Sequence, residues 1–290
     1  FKQDIGLKQL SIFILSKSKE DLFLLKGYAG TGKTTIITTI VKNLWKVKKS
    51  ALLLAPTGRA AKVISSYTNK EAFTIHKKIY IPKTDKSGRI SFVLGPNKYK
   101  DTLFIVDEAS MISDNINQSH IFGSGALLDD LIKFVYLGYK CKLLLIGDTA
   151  QLPPVNLDIS PALDYSKLEI NYSKNVSQIE LDEVVRQSED SGILFNATEL
   201  RESISNKFFE RFKFKVEGFN DIVRLVDGQD ILDAINDSYS KHGNEETALI
   251  VRSNKRANLY NQQIRDRILF NDNEITTGDL LMIVRNNYFW

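Results

Sequence analysis

An α/β architecture, a buried parallel sheet with helices on both faces, follows from three features of this 290-residue chain. Residues 27–35, GYAGTGKTT, fill the phosphate-loop pattern G-x-x-x-x-G-K-[ST], with Gly27, Gly32, Lys33 and Thr34 at the required spacing. Apolar runs of strand length recur at 22, 51, 102, 142 and 178, rich in Leu, Ile and Val without polar alternation, as strands covered on both faces require. Helical patterns separate those runs, which is the sequence form of a strand, crossover and parallel strand.

The first element is a helix in which Leu7, Leu10 and Ile14 follow Gln3 at helical spacing. The strand LFLLK at 22–26 then leads into the loop, and residues 33–46 form an amphipathic helix whose N-terminus meets the phosphates. Gly27, Gly30 and Gly32 allow the tight turn that aims N–H groups at phosphate oxygens, with Thr31 and Thr35 completing the loop. Lys33 brings positive charge to the β- and γ-phosphates, and the Thr34 hydroxyl would sit on Mg²⁺. A nucleoside triphosphate is the implied ligand.

The strand ALLLAP at 51–56 comes next, followed by TGRAAK. A helix starting near Gly58 would offer its N–H groups and the Thr57 hydroxyl to a phosphodiester, with Lys62 adding charge. Between 81 and 101 the pattern breaks into a Lys-Ser-Gly turn, a short alternating run at 89–94 and a Gly-Pro stop, which predict a basic, protruding β-hairpin. The strand LFIV then delivers Asp107 and Glu108 to its carboxyl end, where open α/β sheets bind ligands. Asp107 would hold Mg²⁺ directly or through water, and Glu108 could take a proton from the water that attacks the γ-phosphate. Residues 115–125 read as a surface loop or a lid before a helix at 126–137. The strand at 142–147 ends in a turn at Gly147 and Asp148. Gln151 beyond it either senses the γ-phosphate or is an exposed turn residue.

A strand near 178–184 and a helix at 191–203 close the first domain. A basic aromatic stretch at 207–215 separates it from new strands at 221–226, 247–251 and 278 onward and helices at 231–239 and 255–269, with Asn254 a candidate cap. Composition sets bounds on all of this. The net charge of +4 permits a polyanionic partner without requiring one. One cysteine, Cys141, precludes an intramolecular disulfide or a cysteine-rich metal site and suits a reducing cytoplasm. The longest apolar runs fall far short of the roughly 20 residues of a membrane span.

GYAGTGKTT, LLLAPTGRAAK, TIHK, LFIVDEASM, LLIGDTAQLPPV and LDEVVRQ occur in the order seen in superfamily 1 helicases, and the chain resembles their RecD-like and Dda-like branch. The resemblance is dense over 22–200 and thinner over 247–290. It implies a RecA-like ATP-binding motor domain at 1–80 and 102–205, a wedge-like hairpin insertion at 81–101 and a partial second RecA-like domain at 216–290. ATP and Mg²⁺ are the implied cofactors. By the same resemblance Lys33 and Thr34 serve the nucleotide and Mg²⁺, Asp107 and Glu108 are the metal and water carboxylates of hydrolysis, Gln151 couples the γ-phosphate to DNA, and Arg186 reaches the γ-phosphate. Gln3, in preference to Gln9, reads adenine, while Thr57, Arg59, Lys62 and His76 contact the strand.

The implied activity is ATP-dependent unwinding of DNA with 5′ to 3′ movement. Single-stranded DNA and single-strand/double-strand junctions are the implied partners of a monomer, alongside unspecified replication or repair proteins. An RNA helicase or RNA-dependent ATPase is the first alternative, because phosphate contacts do not distinguish the sugar. A nucleotide-gated binding module without turnover is the second. The family's later motifs, a second γ-phosphate arginine and another DNA-contacting block, are not recognisable before Trp290, so the expectation is a shortened motor.

Overall fold

The structure, a computed structural model, describes residues 2–18, 21–86, 88, 90–114, 121–182, 191–206, 211–271, 273–279 and 281. Residues 1–213 and 214–290 form two compact units.

In the first unit, α1 (Lys2–Leu15) precedes β1 (Asp21–Gly27) and α2 (Lys33–Asn43), whose end tightens into a 3₁₀ turn at Leu44–Val47. Then come β2 (Ser50–Ala55), α3 (Gly58–Thr68), β3 (Ala72–Thr74), α4 (Ile75–Ile79), β4 (Tyr80–Thr84), β5 (Ile90–Leu94) and β6 (Thr102–Val106). The unit continues through α5 (Leu127–Leu137), β7 (Lys142–Gly147), α6 (Tyr165–Tyr172), β8 (Asn175–Leu181) and α7 (Gly192–Ser205). Six strands form one parallel sheet in the order β3-β2-β6-β7-β1-β8.

Successive residues of β1, β2, β6 and β7 feed opposite faces, which is why those runs show no polar alternation. The run at 178 departs from that expectation, because β8 is an edge strand, polar and apolar in turn and largely exposed. Leu22, Leu24, Leu54, Phe104 and Leu145 pack with α5 on one side. Phe23, Leu25, Leu53, Ile105 and Ile146 pack with α1, α2 and α3 on the other. Each fully buried Leu, Ile or Phe side chain contributes about 1.5–3 kcal/mol, so covering both faces is the main source of the unit's stability. A buried charge locks α1 in place: Lys142 Nζ donates to Phe13 O at 2.6 Å and to Asp21 Oδ2 at 3.2 Å. Cys141 is buried and free.

The strands β4 and β5 pair antiparallel, with Tyr80 opposite Leu94 and Thr84 opposite Ile90. Phe92 of β5 stacks on Phe122 at 4.7 Å, and the Tyr80 hydroxyl donates to Asp130 Oδ2 at 2.7 Å, which fastens the base of the pair to α5. Ser124 N donates to the same carboxylate oxygen at 2.9 Å. Arg89 and residues 115–120 of the expected loop or lid lie outside the described residues.

The second unit differs from expectation. Its described residues hold two helices, α8 (Gly228–His242) and α9 (Asn254–Arg267), and no strand. The runs at 221–226 and 247–251 join no ladder, and Ile250 is 93% exposed. A β-branched apolar run marks a segment suited to a covered sheet, but it becomes a strand only when a neighbouring backbone takes its N–H and C=O groups. Residues 282–290 of the third expected strand lie outside the described residues. Ser253, not Asn254, caps α9, with its Oγ accepting from Arg256 N at 3.3 Å. Among the described residues no helix is long and apolar enough to cross a membrane.

Candidate functional site

All the residues brought together here belong to the first unit. The phosphate loop hangs on the carboxyl end of β1, between β7 and β8. Gly32 opens α2 with φ 92°, a conformation that side chains strain to adopt, and a Cβ there would also overlap the Gln3 side-chain amide. Gln3 Nε2 donates to Thr31 O at 2.8 Å, so this glutamine lies against the loop while Gln9 points to solvent. Thr31 is itself buried and donates through Oγ1 to Tyr28 O at 2.8 Å. Thr34 occupies the first turn of α2 and is partly buried; Thr35 beside it is exposed.

Lys33 turns back into its own loop, with Nζ donating to Gly27 O at 2.6 Å and Tyr28 O at 2.8 Å. Burial lowers its pKa, and the negative charges of Asp148, Asp107 and Glu108 oppose that shift. Those three acids come from the ends of β6 and β7, which pair side by side, and β7 in turn flanks β1. The parallel sheet is therefore what assembles them around Lys33.

Asp107 is held by two donors. Its Oδ1 accepts from Glu108 N at 3.0 Å and its Oδ2 accepts from the Tyr67 hydroxyl at 2.7 Å. Glu108 adopts φ 55° and ψ 36°, the left-handed region that costs a non-glycine residue about 1–2 kcal/mol. Burial, and then the neighbouring Asp107 charge, raise the Glu108 carboxyl, while Lys33 and a hydrogen bond to Gln151 pull it back. Gln151 is exposed and also accepts, through Oε1, from Ser110 Oγ at 3.1 Å. Ser160 pins this turn, its one hydroxyl proton shared between Ala109 O at 2.8 Å and Ile112 O at 2.7 Å.

Ala55 of β2 pairs with Thr74 of β3, so Thr57 and His76 leave adjacent strand ends. The Thr57 Oγ1 caps α3, accepting from Ala60 N at 3.2 Å; Arg59 and Lys62 are exposed on that helix. His76 is half-buried, edge-on to Phe122 at 5.1 Å, and burial lowers its pKa. Its ring therefore braces the hairpin base and brings no dependable charge to a phosphate at neutral pH. Arg186 lies outside the described residues.

Three residues were invisible to motif reading. Asp148, 4% exposed, read only as a turn former, yet it is the first carboxylate to act on Lys33. Tyr67 sits on α3 and reaches Asp107 across the sheet edge, with no local signal to announce it. Arg201 on α7 places its guanidinium 4.7 Å from the Tyr28 ring centre, adding a cation beside the phosphate loop.

Two substitutions probe the site with modest effects. Thr57→Ala should cost about 1 kcal/mol through the lost helix cap, and Thr57→Ser should restore it, as read by chemical denaturation. Tyr67→Phe should raise the Mg²⁺ concentration needed for half-maximal nucleotide binding about tenfold, because the carboxylate loses an orienting donor. An unchanged Mg²⁺ requirement would remove Tyr67 from the site.

Residues 11–157 match the family described as the AAA domain. The ATP-dependent DNA helicase dda of Enterobacteria phage T4 is 26% identical over 279 residues, covering 92% of this chain and 57% of the phage protein. The ATP-dependent RecD2 DNA helicase of Deinococcus radiodurans is 34% identical over 136 residues, covering 47% of this chain and 16% of that protein. Among solved structures, the Pif1 helicase from Candida albicans shares the fold, with a TM-score of 0.50 at 19% identity over 92% of this chain and 54% of the other. The chain thus spans less than two thirds of the length of these relatives. Family match and sheet order agree: the chain belongs to the AAA domain family, and it is similar to RecD-like and Dda-like helicases.

Proposed function

We propose that this chain carries the ATP-binding part of an ATP-dependent DNA helicase. The observation that carries the reading is the convergence of Lys33, Asp107, Glu108 and Asp148 at one end of the sheet. The α3 N-terminus leaves that same end of the sheet, from β2, which pairs with β6. In this reading residues 1–80 and 102–205 form a RecA-like motor domain, 81–101 form a wedge, and 216–290 begin a second RecA-like domain.

The residues present fit a magnesium nucleotide. A hydroxyl at the start of α2 and one oriented carboxylate are the sparse protein donors that Mg²⁺ takes while keeping waters and phosphate oxygens. Thr34 and Asp107 would hold the ion, which when bound neutralises charge building on the β- and γ-phosphates. Gly27, Gly30, Thr31, Gly32 and Thr35 shape the cradle, and Gln3 borders it. Lys33 exchanges its two loop carbonyls for phosphate oxygens. Glu108 accepts a proton from the attacking water, Gln151 links that carboxylate to the Ser110 turn, and Arg186 adds charge to the γ-phosphate. Thr57, Arg59, Lys62 and His76 contact single-stranded DNA, His76 from a ring that also packs on Phe122 at the hairpin base. Movement is 5′ to 3′, as the family branch suggests, toward a single-strand/double-strand junction.

The test compares ATP hydrolysis with unstructured DNA, unstructured RNA and no strand, and then unwinding of forks with 5′ or 3′ tails. DNA should stimulate more than RNA, and only 5′-tailed forks should open. Stronger stimulation by RNA would overturn the DNA reading, and hydrolysis indifferent to any strand would overturn coupling.

A further inference from the structure

The sheet has a second charged end. Residues 48–49, 100–101 and 139–142 precede or open β2, β6 and β7, and the pairing holds them side by side: Ser50 N donates to Asp101 O at 3.1 Å, and Asp101 N donates to Tyr139 O at 2.9 Å. Six residues per strand at about 3.3 Å each put this end roughly 20 Å from the phosphate loop and from the α3 N-terminus.

Lys49, Lys140 and Lys142 line one shallow surface hollow together with Ile14, Thr102 and Leu103. Lys142 is committed to Asp21 and Phe13 O, so its charge is partly balanced. Lys49, Lys140 and the exposed Lys46, Lys48 and Lys100 make no ion pair among the described residues. Burial lowers the Lys142 ammonium, Asp21 opposes this, and Lys49 adds its repulsion. The carboxylates named at this end are Asp21, already paired, and Asp101. Like charges gathered with a single ion pair among them cost energy that a polyanion would offset.

Two aromatic rings stand beside the lysines. Trp45 is 70% exposed with Lys46 Nζ 6.0 Å from its ring, and Tyr139 is 55% exposed with Lys140 Nζ 5.1 Å from its ring. A large exposed indole has no role in the core and offers a face on which a base can stack. Lysines alone would suit an acidic peptide equally; exposed aromatic planes among them favour a nucleic-acid strand.

We propose that the amino end of the sheet, centred on Lys49 and Lys140 with Trp45 and Tyr139 beside them, is a second single-stranded nucleic-acid site, separate from the track at residues 57–62. It holds phosphates by charge and bases by stacking, without reading sequence. Strand leaving or approaching the track at residues 57–62 can be retained there.

The first test irradiates the unaltered chain with an oligonucleotide carrying 5-iododeoxyuridine and maps the linked peptides. Linkage at Trp45 or Tyr139 is expected, and linkage confined to 57–76 would overturn the site. The second measures oligonucleotide anisotropy across a salt series for the Lys49→Glu/Lys140→Glu variant, with thermal melting as a folding check. Affinity at low salt should fall about tenfold and the salt slope should drop by about 1.4, two contacts at ~0.7 each. An unchanged slope overturns the proposal. So does a loss of poly-glutamate binding with oligonucleotide binding intact, which would assign the hollow to acidic peptides. Both tests run without nucleotide, so their outcome is independent of whether the chain hydrolyses ATP.

Discussion

Lys33→Ala is expected to weaken triphosphate binding by about 10²–10³-fold, within the loss that follows truncation of one partner of a buried, hydrogen-bonded charge pair. In the structure the ammonium already sits inside the loop, donating to Gly27 O and Tyr28 O. A triphosphate must draw it away from both carbonyls, and the return is a charge-assisted bond to phosphate oxygen. With alanine the carbonyls stay hydrated and the phosphates lose their nearest cation, while the fold keeps its core. Titration of a fluorescent ATP analogue reads the affinity directly. Thermal melting gives a second reading, because a ligand at a hundred times its Kd stabilises by about 2.7 kcal/mol and the variant should show almost none of that shift. Full binding by Lys33→Ala would sink the assignment of this loop.

Glu108→Gln should leave nucleotide binding within a few-fold and reduce hydrolysis by about 10²–10⁴-fold, the usual contribution of a positioned proton acceptor. The pH dependence makes the prediction sharper. Burial and the adjacent Asp107 raise the Glu108 carboxyl above its ordinary value, and a protonated carboxyl cannot accept the water's proton. Activity should therefore fall as pH drops through that raised value, earlier than an ordinary glutamate would allow, and the glutamine variant should lose this limb. Stability moves with the same group. The folded state holds this proton more tightly than the unfolded state does, so stability declines as pH rises from the unfolded to the folded pKa. Denaturation at a series of pH values should show that decline in the wild type and a flatter profile in Glu108→Gln. An acid limb identical in both proteins would show that another group sets it.

The centre of the parallel sheet and its two-sided cover were legible because β1, β2, β6 and β7 announce themselves locally, by four or five consecutive apolar residues between helical patterns, whereas the edge strands β3 and β8 carry no such run. The phosphate loop was legible for the same reason: Gly32, Lys33 and Thr34 act within a few residues of one another. Asp148, Tyr67 and Arg201 were not, because each matters through a neighbour far along the chain that only the folded sheet supplies. Thr57 shows a subtler limit. Its place before a helix was readable, but the structure commits its oxygen to Ala60 N, so cap and ligand contact share one side chain. The apolar runs at 221 and 247 mark the opposite failure, a local strand signal with no ladder partner among the described residues.

The strand order also dictates when the nucleotide cradle can exist. β1 is made early, yet its hydrogen-bonding neighbours are β7 and β8, near the far end of the same unit. As the chain leaves the ribosome, β2, β3 and β6 can pair among themselves while the segment bearing Gly27 waits with both edges unsatisfied. Ladder closure around β1 comes last, so the loop takes its final shape only when residues 175–181 have been made. A half-synthesised chain thus has no formed cradle to capture the cell's nucleotide, and binding competence arrives together with the completed sheet.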